Sequence, residues 1–225
     1  MRDYSRFDGY YNELITDIYG QPSDEGHLRD MKSIITRWVL PLGISSVLDV
    51  GCGEGTASIF FKEADISYTG IAIGEDVEKA VSAGRNVFEQ DFNFINSDAT
   101  YDLIFSRHSL EHSPFPLITL MDWHRISNKW LCVVLPNPDY YKYIGRNHYS
   151  VLNQHRAAWL LRRAGWKMNK FFMNKEEIWF LCVKKPRISY EGWTKTPLDE
   201  RVYEFERDKL SVQDIEVDVS SFLGE

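Results

Sequence analysis

A short apolar run that halts on three glycines constrains this chain more than any other feature. Residues Val47–Ser58 read VLDVGCGEGTAS. The first four residues suit a buried strand, and the pattern predicts a helix over Thr56–Glu63. Between them stand Gly51, Gly53 and Gly55. Glycine takes positive φ without strain and lets a ligand approach the main chain. Open parallel sheets bind ligands beyond the carboxyl ends of their strands, where strand order reverses. The spacing is G-x-G-x-G, which is neither the dinucleotide fingerprint nor a phosphate loop, and no Lys follows Gly55. Asp49 stands two residues before the first glycine. A carboxylate there repels a pyrophosphate and suits a ligand carrying a cationic amino group.

The rest of the chain alternates between strand and helix patterns. Strands are predicted at Ser46–Val50, Tyr68–Ile73, Val87–Gln90, Tyr101–Ser106 and Trp130–Leu135. Helices are predicted at Leu28–Leu40, Asp76–Arg85 (with Asp76 as its cap), Pro114–Ile126 and Asn153–Ala164. Lys167–Phe172 and Ile178–Val183 read as a closing antiparallel pair. The expected fold is α/β: a Rossmann-like seven-stranded, mostly parallel sheet with helices on both faces and the last strand antiparallel. Residues 1–43 form a helical cover in this reading, 44–186 the main domain, and 187–225 an acidic tail.

VLDVGCGEGTAS is similar to motif I of the class I S-adenosylmethionine (SAM)-dependent methyltransferases. Tyr101–Pro116, YDLIFSRHSLEHSPFP, resembles the fourth-strand region of the small-molecule-type branch with an LEH segment. The resemblance runs from about Val47 to Val183. It implies SAM as cofactor, with S-adenosylhomocysteine as product. Asp49, Gly51, Cys52, Gly53 and Gly55 would hold its methionine part. Asp91 and Phe92 would meet adenine, Phe92 by stacking and Asp91 by accepting from the exocyclic amine. Ser106, Arg107 and His108 would stand beside the methyl group. The family usually ends its second strand with an acid for the ribose hydroxyls. Here Ala72 fills that position, and Glu75 is the nearest replacement.

Methyl transfer from a sulfonium requires mainly alignment of the acceptor, with a base where the acceptor loses a proton. The candidate bases are His108, His112, His148 and Tyr149; His112 also suits a purely capping role, and Glu111 suits fixing the turn. LPNPDYY at Leu135–Tyr141 superficially resembles the N-P-P-Y motif of amino methyltransferases. It follows the fifth strand rather than the fourth, which argues against a DNA-adenine acceptor. The loop Asn137–Ser150 is a natural lid.

Net charge is -7 and the pI is about 5.4, so no overall basic field draws nucleic acid. Much of the acidity lies after Pro197, and a basic stripe (Arg156, Arg162, Arg163, Lys167, Lys170) remains as a minority argument for a nucleic-acid acceptor. Cys52, Cys132 and Cys182 are widely spaced, so neither disulfides nor a metal are expected. Nothing reads as a membrane span or leader, and the expectation is a cytoplasmic enzyme with a small-molecule or sugar-like acceptor at O or N. A nucleic-acid base as acceptor, or a non-catalytic SAM-binding domain, are the alternatives. Nothing in the sequence sets an oligomeric state.

Overall fold

The computed structural model of the chain describes residues 5–16, 25–139, 145 and 147–187. The acidic tail from 188 onward and the tyrosine-rich part of the 137–150 loop therefore lie outside the described residues.

In chain order the elements are α1 (Ser5–Thr16), α2 (Glu25–Ile34), β1 (Ser46–Val50), α3 (Ser58–Glu63), β2 (Ser67–Ala72), α4 (Glu75–Ser82), β3 (Val87–Glu89), β4 (Tyr101–Arg107), α5 (Pro116–Ile126), β5 (Ser127–Pro136), α6 (Gln154–Arg163), β6 (Trp166–Met173) and β7 (Glu177–Lys184). A wider π turn, Ile35–Val39, and a tight turn, Leu40–Leu42, extend α2, so the expected single helix over 28–40 is a composite. Gly43 stops it at φ 63, just past Pro41. Pro116 opens α5, and the Asn153 side chain accepts from the Arg156 backbone N–H to cap α6.

The seven strands lie in the order β3-β2-β1-β4-β5-β7-β6. β7 runs antiparallel to both its neighbours, and the pairs from β3 through β5 are parallel. Strand order reverses between β1 and β4. The crevice at their carboxyl ends is where such a sheet offers a ligand site.

Alternate residues of the central strands feed two cores. Val47, Leu103, Phe105, Cys132 and Val134 pack toward α2 and α3, with Trp38, Phe61 and Trp179. Leu48, Val50, Ile104, Leu131 and Val133 pack toward α5 and α6, with Trp123 and Trp166. Trp123 is fully buried, and its indole N–H donates to the Phe92 carbonyl at 2.9 Å. That bond ties α5 to the loop after β3, at the rim of the crevice. No helix among the described residues is long and apolar enough to cross a membrane.

Candidate functional site

A cleft of about 470 Å3 opens over the reversal point, within the range of small-molecule sites. Its floor is built by the turn after β1. Gly51, Gly53 and Gly55 all hold positive φ, at 67, 54 and 70. They differ in what a side chain would meet. A Cβ on Gly51 would lie 2.3 Å from the Ser109 hydroxyl, and one on Gly55 would lie 2.7 Å from Val87. These two glycines are thus required by protein neighbours. Gly53 is different: the nearest atom to its Cβ would be an Asp76 carboxylate oxygen at 3.5 Å. It is the position where bare main chain faces the cleft, and Gly55 does not line it.

Asp49 lines the cleft from below and is almost wholly buried. Its carboxylate accepts from the Tyr68 hydroxyl at 2.8 Å. Burial dominates over that hydrogen bond and pushes the carboxyl up to about 7. The same burial, with Asp49 beside it, raises the Cys52 thiol. A cationic group arriving above Asp49 would restore the ionised form.

The β2 side of the cleft carries Ala72, Gly74, Glu75, Asp76 and Lys79. α4 begins at Glu75 with Gly74 as its cap, two residues before the cap that the sequence predicts. Asp76 therefore does not cap the helix. It faces the cleft beside Lys79, 3.4 Å from that ammonium.

On the β3 side, Gln90 and Phe92 line the cleft, and Asp91 does not. Both Asp91 oxygens are taken by the protein. One accepts from the Tyr11 hydroxyl of α1; the other accepts from the Asn93 backbone and side-chain N–H groups at 2.9 Å. The expected adenine acceptor is instead the anchor of α1. The Tyr11 ring stacks on Phe115, and burial raises its hydroxyl. Gln90 was missed in the sequence because nothing in an isolated Gln-Asp-Phe triplet tells which side chain faces inward.

The β4 side brings Arg107, His108, Ser109 and His112 to the cleft, with Asn147. Ser106 is fully buried, off the cleft, and its hydroxyl has no hydrogen-bond partner. His108 holds φ 53, a left-handed conformation for a non-glycine residue. That turn aims its ring at Glu177, the first residue of β7. His108 Nε2 lies 2.7 Å from Glu177 Oε1, and Arg107 donates to the same oxygen at 2.6 Å. Trp179 donates to the other oxygen at 2.8 Å. Burial alone would raise the Glu177 carboxyl; the His108 hydrogen bond and the Arg107 charge outweigh it and hold it at about 2. Glu177 is a second residue the sequence reading missed, since only the antiparallel return of β7 beside β5 brings it there.

Of the remaining candidates, His112 lines the cleft, whereas Tyr149 and His148 do not. The Tyr149 hydroxyl donates to the Leu14 carbonyl at 3.2 Å, which fastens α1 to the loop before α6. His148 lines a separate small cavity with Glu111. His112 Nδ1 lies 3.2 Å from the Asn147 carbonyl, and burial, with His148 nearby, lowers this histidine to about 4. The basic stripe belongs to α6 and β6, and β6 is the sheet edge beyond β5 and β7.

Residues 24–170 match the model of a methyltransferase domain family. No curated protein matches the chain. Many solved structures share its fold. The magnesium protoporphyrin IX methyltransferase from Synechocystis PCC 6803, solved with bound SAM, is 17% identical with a TM-score of 0.58, over 82% of this chain and 98% of that one. A SAM-dependent methyltransferase from Aquifex aeolicus is 18% identical with a TM-score of 0.61, over 82% of this chain and 100% of that one. A sarcosine dimethylglycine methyltransferase, so described from Galdieria sulphuraria, is 14% identical with a TM-score of 0.61, over 83% and 100%. At such identities the neighbours establish the fold and leave the acceptor open. The family match runs from α2 into β6 and takes in the whole cleft, and by it the chain belongs to the methyltransferase-domain family, within the class I SAM-dependent methyltransferases.

Proposed function

We propose that this chain binds SAM in the cleft over β1, β2 and β4 and transfers its methyl group to an oxygen or nitrogen of a small-molecule or sugar-like acceptor. The observation that carries the reading is the buried Asp49 carboxylate beneath the bare main chain of Gly53, in a cleft of the right size.

SAM supplies a methyl group already activated by its sulfonium charge. The chain's own residues bind and orient. Asp49 meets the amino group of the methionine part, and Gly53 lets that part lie against the backbone. Glu75 takes the ribose hydroxyls in place of the acid missing at Ala72. Phe92 stacks on adenine, and Gln90 beside it provides the amide that Asp91 does not. Arg107, His108 and His112 form the wall on the acceptor side. His108 is the base in this reading: Glu177 fixes its ring through Nε2, which leaves Nδ1, 3.6 Å from Glu111, as the nitrogen that takes the proton. His148 and Tyr149 do not line the cleft and are not the base in this reading.

Calorimetry with SAM and S-adenosylhomocysteine tests the donor assignment. Saturable binding, weakened in Asp49→Asn and in Glu75→Ala, is the expected result. Absence of binding by the unaltered chain overturns it. Screening hydroxyl and amine acceptors for S-adenosylhomocysteine release then defines the acceptor, and His108→Asn is expected to lower kcat while leaving SAM affinity intact.

A further inference from the structure

We propose that Glu111, His112 and His148 form a binding site for a divalent transition-metal ion, with zinc the best fit, at the junction of the turn after β4 and the loop after β5. One ligand atom from each of the three side chains lies within 4.8 Å of the others. A tetrahedral zinc with bonds near 2.1 Å holds its ligands roughly 3.4 Å apart, so binding asks the three to converge by about 1.4 Å. Two imidazoles and a carboxylate make a donor set of borderline softness, which favours zinc and its transition-metal neighbours over magnesium or calcium.

Two features of the site point to a cation. Glu111 is 2% exposed, and neither of its carboxylate oxygens has a hydrogen-bond partner. A buried carboxylate left so is costly unless it takes up a proton or something positive meets it. His108 Nδ1 stands 3.6 Å from Glu111, in ion-pair range when protonated but too far for a hydrogen bond, and Arg107, which bonds to Glu177, adds only a weaker attraction; burial outweighs both. Next, the Asn147 carbonyl faces His112 Nδ1 at 3.2 Å. An N–H donated there fixes the tautomer and leaves Nε2 with the lone pair, 4.0 Å from Glu111 Oε1. That outer-shell contact is the usual partner of a metal-binding histidine. A cavity of about 20 Å3 beside Glu111 and His148 gives those two side chains room to move, although its other walls are mainly apolar (Leu135, Pro136, Val151) and His112 does not line it.

The site joins two segments distant in sequence. Ser150 reinforces the junction: its backbone N–H donates to the Glu111 carbonyl at 2.9 Å, and its hydroxyl donates to the Ser113 carbonyl at 2.6 Å. A metal would lock residues 147–150, of which Asn147 lines the cleft. Three protein ligands leave a coordination position, and His112 also lines the cleft. On the methyl-transfer reading, an acceptor oxygen can fill that position, where a metal lowers the pKa of a bound hydroxyl.

The test uses the tag-free full chain, stripped with a chelator and then dialysed with zinc. Elemental analysis is expected to find about one equivalent of zinc per chain, bound in parallel with a concentration-dependent rise in Tm. Cobalt in its place is expected to give visible d–d absorption of a low-symmetry nitrogen and oxygen site. His148→Ala and Glu111→Gln should each lose the metal and the absorption; circular dichroism and SAM calorimetry check that each variant folds. Metal well below one equivalent in the unaltered chain overturns the proposal. So does metal retained in full by a folded His148→Ala chain. SAM binding is measured separately, so failure of the donor assignment and failure of the metal site are told apart.

Discussion

Lowering the pH from 8 to 6 should weaken SAM binding about tenfold, and Asp49 is the reason. Burial holds its carboxyl at about 7 in the folded chain. The ligand's amino group binds the ionised form, so the apparent Kd scales as one plus the ratio of protonated to ionised Asp49. With a pKa of about 7 that factor is roughly 1.1 at pH 8 and roughly 11 at pH 6, a loss of about 1.4 kcal/mol. The Tyr68 hydroxyl and the Cys52 thiol, the groups facing Asp49, are both raised and stay neutral across this window. Calorimetry in buffers of different ionisation heat reads both the affinity and the proton released on binding. Asp49→Asn should flatten the profile and lower affinity at pH 8 by about 1.5–3 kcal/mol, as expected for a lost charge-assisted hydrogen bond. An affinity that changes less than twofold between pH 8 and 6 refutes the reasoning. A tenfold change that survives in Asp49→Asn refutes it equally, since the titrating group then lies elsewhere. In the absence of ligand, the raised pKa works in the opposite direction: from about pH 4 to about pH 7 the folded chain holds a proton that the unfolded chain has lost. Stability from this residue is therefore full below about pH 4 and declines as pH rises to about 7.

Three further outcomes follow from the geometry. Gly51→Ala should be strongly destabilising, since its Cβ would overlap Ser109, whereas Gly53→Ala should cost only about 1–2 kcal/mol of left-handed strain yet impair SAM binding; thermal unfolding and calorimetry separate the two. Glu177→Gln strips Arg107 and His108 of their shared partner and should lower stability by roughly 3–5 kcal/mol at pH 7. Because the Glu177 carboxyl is held at about 2, its contribution is present above the ordinary glutamate pKa and vanishes as pH falls toward 2, so the gap between variant and parent in denaturant melts should close with acid. Tyr11→Phe removes the hydroxyl that Asp91 accepts from, and hydrogen exchange should show α1 less protected while the sheet is unchanged.

Much of the sheet was legible because its signals are local. Each central strand is an apolar run closed by glycine or a polar turn, and the alternation with helices left few architectures to choose from. The antiparallel β7 followed from two short runs with no room for a crossover helix. The cleft was legible where it depends on the same short range: Asp49 and Gly53 belong to β1 and the turn after it, and Phe92 lies three residues past β3. It was not legible where chain ends or distant strands decide. Asp91 turns away because α1, some eighty residues earlier, supplies Tyr11. Glu177 reaches Arg107 and His108 only through the return of β7, and His148 meets Glu111 only because the loop after β5 folds back on the turn after β4. Asp76 moved from helix cap to cleft wall because the cap of α4 falls two residues earlier, at Gly74, within the ordinary uncertainty of a helix boundary.

A crystal structure with S-adenosylhomocysteine bound examines the main assignment at atomic scale. The homocysteine ammonium should sit within hydrogen-bonding distance of Asp49, the adenine against Phe92, and the sulfur should point toward the wall of Arg107 and His108. Density for the ligand anywhere other than above Gly53, or a cleft that stays vacant at saturating ligand, contradicts the account.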